Sequence, residues 1–259
     1  MRTLWRTIKI AILLLLIGVV SLFVSHQWRQ PQQDFSHTLK VLTYNTHALC
    51  MGNKQQAKQM LAYLNEQDAD IICLQEVRVY KDAQRMTLHQ LRQAMSQYPY
   101  TYYDFKRYNS RRQFGNVVFS RYPLINKQTI SYESQNNISS QCDVVVKEDT
   151  IRLIVNHLES FRLMKEDLQL DSLTVSHFKQ SSLNQKLHSA SELRQEQAKA
   201  VKAAINASPY PVLAVGDFNS IPLSYVYGKI RWGMRPLFVC SLFFTSLYTP
   251  ILFLSSWQQ

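Results

Sequence analysis

Four short apolar segments of this chain each end in a polar side chain, and that repetition limits the folds open to it. Leu39–Asn45 alternates, so Leu39, Val41, Thr43 and Asn45 share one face of an extended strand with an amide at its end. Asp70–Glu76 is apolar through Ile71-Ile72-Cys73-Leu74 and closes on a carboxylate. Ile151–Glu159 runs through Leu153, Ile154 and Val155 to His157. Val212-Leu213-Ala214-Val215 leads into Gly216-Asp217-Phe218-Asn219. There the glycine lets the backbone turn, and Asp217 and Asn219 leave on the same side. Apolar runs of this length read as buried strands. Polar groups at the carboxyl ends of several strands are how layered α/β folds build a site. Taken singly, each residue has a plainer explanation: an Asx-turn at Asp217, a structural imidazole at His157, a solvated carboxylate at Glu76. Together they predict one cleft holding Asn45, Glu76, His157, Asp217 and Asn219.

The remaining periodicity is that of an α/β domain. Asn53–Glu66 predicts a helix with Ala57, Met60, Leu61 and Leu64 on one stripe and Asn53 as its cap. Asp82–Met95 predicts a second, and Ser189–Ile205 a third, with Ser189 and Glu192 spaced as a capping box. Tyr100–Phe105, Asn116–Ser120 and Cys142–Lys147 read as strands, the last pairing with Ile151–Asn156 around Glu148-Asp149. Asn109–Gly115 is a loop rich in turn residues, and Phe161–His188 is a polar, poorly periodic insertion. The cysteines Cys50, Cys73, Cys142 and Cys240 have no C-x-x-C spacing and read as buried thiols rather than as a zinc site.

The ordered pieces Thr43-Tyr44-Asn45, Leu74-Gln75-Glu76-Val77, Gly115-Asn116-Val117-Val118-Phe119-Ser120-Arg121-Tyr122-Pro123, Asn156-His157-Leu158 and Gly216-Asp217-Phe218-Asn219 resemble the endonuclease/exonuclease/phosphatase superfamily. That group holds pancreatic-type deoxyribonucleases, abasic-site endonucleases, neutral sphingomyelinases and inositol-polyphosphate 5-phosphatases. The resemblance covers about Leu39 to Arg231. It implies an α/β fold, a four-layer α/β/β/α sandwich of two mixed sheets, and metal-dependent hydrolysis of phosphate esters. In that scheme Glu76 and Asn45 meet the metal, which is magnesium, with manganese as the alternative hard ion. Asp217 orients the attacking water, Asn219 holds water or phosphate, and His157 donates to a phosphate oxygen. Glu159, two residues on, would raise the proton affinity of His157. Asn116 and the basic, aromatic loop bearing Arg111 and Arg112 are the expected substrate contacts. The substrate is a nucleic acid, a lipid head group or a small phosphoester, and nothing in the sequence calls for a protein partner. Family members close with an Arg-Ile-Asp strand and a Ser-Asp-His motif, whereas this chain has no Asp, Glu or His after Asp217. A phosphate-binding module without catalysis, or an inactive homologue, is therefore the rival expectation.

Composition bears on the ends. Six of the 29 basic residues and none of the 18 acidic ones lie within residues 1–30 and 231–259, so the net charge of +11 falls to +5 for the middle. That suits an anionic substrate. Ile10 to Trp28 carries no Lys, Arg, Asp or Glu and follows Arg2, Arg6 and Lys9. It is long enough to span a bilayer, with the basic flank on the cytoplasmic side. The organisation expected is a signal-anchor over 1–28, a linker over 29–38, the domain over 39–231 outside the cytoplasmic membrane, and an atypical hydrophobic tail over 232–259. That tail is open to three readings: a second membrane helix, an unusual strand pair, or a frame-shifted replacement of the family's last segment.

Overall fold

The computed structural model describes residues 39–109, 111–134, 137–160, 177–221, 224–236 and 253–255. The expected anchor and linker lie outside the described residues, as do most of the insertion after Phe161 and residues 237–252. Among the described residues no helix is long and apolar enough to cross a membrane.

Strands β1 (Val41–Asn45), β2 (Ile71–Tyr80), β3 (Tyr100–Asn109) and β4 (Arg112–Ser120) form a four-stranded sheet in the order β1-β2-β4-β3. Strands β5 (Leu124–Ile130), β6 (Ile138–Val146), β7 (Asp149–His157), β8 (Val212–Asp217), β9 (Met234–Pro236) and β10 (Phe253–Ser255) form the second, in the order β5-β6-β7-β8-β10-β9. Both sheets are mixed: β1 runs parallel to β2, and β7 to β8, while the other pairs are antiparallel. The helices are α1 (Lys54–Glu66), α2 (Leu88–Ala94), α3 (His177–Asn206) and α4 (Tyr225–Arg231).

Alternation within the strands divides the apolar residues among three cores. Leu74, Val77, Val79, Val117 and Phe119 face α1 and α2 through Ala57, Leu61, Leu64 and Leu91. Ile71, Cys73 and Val118 face Cys142, Val144, Leu153, Val155, Leu213 and Val215 between the sheets. Ile154, Val212 and Ala214 face Ala198, Val201, Val226 and Ile230 on the far side. Each sheet is thus covered on both faces, which is why β2, β7 and β8 read as nearly unbroken apolar runs. Cys50, Cys73 and Cys142 are free thiols, and the last two lie in the middle core.

Several expected boundaries move. Helix α1 starts where expected, because Asn53 Oδ1 accepts from the main-chain N–H groups of Gln55 and Gln56 at 3.1 Å. Helix α2 starts at Leu88 rather than Asp82. Thr87 and Gln90 form a reciprocal capping box there, and Asp82 Oδ1 instead accepts from Gln84 N in a turn. Helix α3 starts twelve residues before Ser189, at His177, so Ser189 and Glu192 lie in its interior and cap nothing. The expected loop at Asn109–Gly115 is the tip of a β-hairpin, with Asn109 opposite Arg112. Of the tail, residues 234–236 and 253–255 form two short strands, β10 lying between β8 and β9.

Candidate active site

The carboxyl ends of β1, β7 and β8 and the middle of β2 meet at one edge of the space between the sheets. Strand β8 reaches that edge because Gly216 sits directly opposite Asn156, and the next pair in register is His157 with Asp217. A Cβ on Gly216 would lie 2.1 Å from the carbonyl oxygen of Asn156, so only glycine lets these strands approach so closely. On β2 the register against β4 slips between Leu74 and Val77, and Glu76 lies in that bulge at φ +54°. A bulge re-aims a side chain, here moving the Glu76 carboxylate out of the alternating pattern and into the site.

The carboxylates gather around one amide. Asn45 Nδ2 donates to Glu76 Oε1 at 3.1 Å and to Asp217 Oδ2 at 2.9 Å. Its Oδ1 accepts the main-chain N–H of His47 at 2.9 Å, which fixes which end of the amide faces the cleft. Asn45 therefore stands as a donor between two carboxylates, because both of its neighbours on the cleft side are acceptors. His157 Nε2 lies 3.3 Å from Glu76 Oε1, and the ring is 4% exposed. Asp217 Oδ1 accepts from Asn219 N at 2.9 Å, so the Asx-turn coexists with the carboxylate's position in the cleft. Asn219 Nδ2 donates to Leu158 O at 2.8 Å from a left-handed backbone, φ +46°.

Burial works to raise the pKa of Glu76. The hydrogen bond and charge of His157, the Asn45 amide and the charge of His47 outweigh it, and the carboxyl titrates below its ordinary value. The site thus holds Glu76 in its charged form.

The other expected residues lie elsewhere. Asn116 is 1% exposed and ties the sheets together, its Nδ2 donating to Ile138 O, Ser140 Oγ and Val155 O. That burial places it away from any surface a substrate could reach. Arg112 pairs with Tyr80 at the end of β2, and Arg111 O accepts from Lys81 N. These arginines are at the hairpin tip, about 13 Å along the strand from Glu76 at 3.3 Å per residue. Glu159 accepts from Ser134 Oγ at 2.8 Å in a buried polar group, and its main-chain N–H donates to Gln197 Oε1. Two residues not singled out in the sequence reading, Asn137 and Arg78, reach the site, as does Phe114 of the expected aromatic loop region. Asn137 Nδ2 is 3.2 Å from His157 Nε2, the Phe114 ring meets the imidazole edge-on at 6.5 Å, and the Arg78 guanidinium stacks on Phe114 at 5.3 Å. The β6–β7 turn falls at Lys147-Glu148, one residue before the expected Glu148-Asp149, and only that observed register puts Ile138 opposite His157 and Asn137 beside it.

Among the described residues there is no cluster of three or more His, Cys, Asp and Glu placed to hold a metal ion. The donors present are nonetheless those of a hard cation: two carboxylates converging within hydrogen-bond reach of one neutral amide. Magnesium keeps several waters and needs only one or two protein carboxylates, so the residues fit that ion.

Two facing mixed sheets with helices outside, and a polar cluster at the strand ends, define a layered α/β sandwich with a site at one edge. The model of the Endonuclease/Exonuclease/phosphatase family matches residues 42–231, and the chain belongs to that family. Its members are metal-dependent hydrolases acting on phosphoester bonds. No curated protein matches the chain at the sequence level. Among solved structures it resembles a humanized TDP2 from D. rerio at 18% identity and TM-score 0.57, covering 84% of this chain and 82% of that one. The human Nocturnin catalytic domain with bound sulfate aligns at 17% identity and TM-score 0.55, covering 84% and 82%. Sphingomyelinase C from Streptomyces griseocarneus aligns at 18% identity and TM-score 0.52, covering 78% and 72%. At these identities the likeness is one of fold.

Proposed function

We propose that the chain is a magnesium-dependent phosphoesterase whose site is the cluster of Asn45, Glu76, His157, Asp217 and Asn219. The observation that carries the reading is the double donation of Asn45 to Glu76 and Asp217. It draws carboxylates from residues 141 positions apart to a single point, which folding alone does not require. Glu76, and beside it Asp217, would hold the cation. The cation supplies charge neutralisation at the non-bridging and leaving oxygens of the ester. Asp217 orients the attacking water, since one of its oxygens is spent on Asn219 N and the other faces the cleft. His157 supplies the ring nitrogen that faces a phosphate oxygen, and Asn45 balances the paired carboxylates. Asn219 secures the loop through Leu158 O. The family acts on phosphoester substrates such as nucleic acids and lipids, so both are substrate classes to test.

We also propose that residues 10–28 anchor the chain in the cytoplasmic membrane with the domain outside. The support is an uncharged apolar run preceded by Arg2, Arg6 and Lys9. Protection of the domain from external protease in intact cells would refute it.

The test of function is hydrolysis of bis(p-nitrophenyl) phosphate, sphingomyelin and single-stranded DNA by the purified full chain with magnesium. Turnover should vanish with chelator and in Asp217→Ala and Glu76→Gln. Turnover unaltered in both variants would overturn the assignment.

A further inference from the structure

We propose that the outer face of α4, with the α3 lysine beside it, is a docking surface for an anionic phospholipid bilayer, which Ile221, Tyr225 and Trp232 enter while Lys202 and Lys229 meet the head groups. This surface is built from other residues than the cluster around Asn45 and Glu76, and the inference does not depend on the reading of that cluster.

Val226, Tyr227 and Ile230 of α4 are buried against Ala198, Val201 and Ile205 of α3. The opposite side of such a helix is ordinarily polar, yet here it carries Tyr225 and Trp232, 52% and 81% exposed. Trp232 N donates to Gly228 O at 3.0 Å, so the helical spiral carries through to Trp232. Tyr225, Lys229 and Trp232 therefore follow one another at helical spacing and form one stripe, aromatic, cationic and aromatic. Ile221 precedes the stripe across the turn closed by Ser224 N donating to Ile221 O, and it is 70% exposed. An indole left this far in water recovers its apolar area in a phase that keeps its N–H wet, which is what a bilayer interface offers.

Charge decides which kind of surface this face meets. Lys202 Nζ donates to Trp232 O, so the α3 lysine lies against the end of α4. Burial, and then the charge of Lys229, hold the Lys202 ammonium below the ordinary lysine value. The two cations are thus close enough to repel each other. The nearest acid along α3, Glu196, is paired with Lys199 at 2.7 Å, and the sequence has no Asp or Glu between Glu196 and Asp217 or after Asp217. Neighbouring cations flanked by exposed aromatic side chains suit a bilayer with anionic head groups. A nucleic-acid strand would meet the lysines and the rings but offers the Ile221 side chain no apolar phase to enter. A second copy of this chain, seated on the same face, would bring the same lysines together.

The experiment is acylation of lysines by a succinimidyl ester, read by mass spectrometry on the wild-type full chain in phosphatidylcholine vesicles with and without phosphatidylglycerol. Acylation of Lys229 relative to Lys58, exposed on α1, should fall about fivefold when phosphatidylglycerol is present. It should recover at about 1 M salt, where screening is nearly complete. A second measurement uses a full chain carrying Trp5→Phe, Trp28→Phe and Trp257→Phe, in which Trp232 alone emits. Brominated acyl chains should quench that emission in the anionic vesicles, and Ile221→Ser should lower the ratio of docked to free about fivefold. Unchanged acylation of Lys229 in the wild type, which needs no variant to fold, would overturn the proposal. So would Trp232 emission that the brominated lipid leaves unquenched. Protection of Lys229 by single-stranded DNA and not by vesicles would overturn it in favour of a nucleic-acid surface. Protection that rises with protein concentration in the absence of lipid would overturn it in favour of self-association.

Discussion

Replacing Gly216 by alanine tests whether the close approach of β8 to β7 is what assembles the site. The added Cβ would lie 2.1 Å from Asn156 O, 2.7 Å from Asn156 N and 2.9 Å from Asn156 C. All three are backbone atoms of β7, a strand held on its other side by β6, where Asn156 pairs with Ser139. Relief to a bare 3.0 Å would need a shift of about 0.9 Å against two ladders. The φ of +121° at Gly216 adds strain of its own for any L side chain, of order 1–3 kcal/mol. Loss of two flanking ladder hydrogen bonds adds about 1–3 kcal/mol. Together these place Gly216→Ala about 2–6 kcal/mol below the wild type, against a total of about 5–15 kcal/mol for a domain. The assay is urea unfolding followed by far-ultraviolet circular dichroism. Gly228→Ala is the control, since a Cβ there meets nothing within 4 Å on an exposed turn of α4, and it should stabilise by about 0.5–1 kcal/mol. Gly216→Ala unfolding within 1 kcal/mol of wild type would refute the reasoning, because it would mean that β8 has room to retreat. His157 and Asp217 would then owe their juxtaposition to something else.

Met51, 70% exposed at φ +55°, contributes little packing, so Met51→Gly should relieve about 1–2 kcal/mol of left-handed strain less about 0.4–1 of chain entropy. A small rise in thermal midpoint checks it, and a fall would count against the strained turn. The Glu76 carboxyl titrates below its ordinary value near 4.5, so the stability it contributes is fully present above that pH and is lost as pH falls through the lower folded value. The gap in stability between wild type and Glu76→Gln should therefore narrow on acidification, and a gap that widens would invert the sign of the argument. Asn45→Leu removes the donor shared by two carboxylates and should cost about 1–3 kcal/mol in chelator, with part restored by saturating magnesium. Equal stability with and without the ion would argue against cation binding between Glu76 and Asp217.

The parts of the fold legible beforehand were those where burial on both faces writes an apolar run, as in Ile71–Leu74, Leu153–Val155 and Val212–Val215. Strand β5 was not legible. It is an edge strand with Leu124 and Ile130 buried and the five residues between them exposed, so its sequence carries no alternation. The start of α3 was hidden for a related reason, since residues 177–188 are polar and show no apolar stripe. In the site, the residue types were legible but the orientation of Asn45 was not, because it depends on acceptors brought from β2 and β8 and on the N–H of His47. Asn116 misled because a motif position says nothing about burial. Its amide faces the second sheet, where Ile138, Ser140 and Val155 take all its donors.

Backbone strain and chemistry fall in the same place. Among the described residues ten non-glycine residues adopt positive φ, and they include Glu76 and Asn219 of the cluster and the run His47–Met51 that directly follows Asn45. Five consecutive left-handed residues would not persist alone, at about 1–2 kcal/mol each. They persist here because Thr46 locks the turn, its Oγ1 meeting Gln75 O, Glu76 O and Leu49 N within 3.2 Å, while Ala48 and Leu49 are buried beneath it. The same hydroxyl thus holds both the turn after Asn45 and the bulge that bears Glu76. A Thr46→Val substitution keeps the side-chain shape and removes those bonds. It should release the turn and the bulge together, lowering magnesium affinity although Thr46 reaches neither the cation nor the substrate. Unchanged affinity would show that Glu76 is aimed by the β2–β4 register alone.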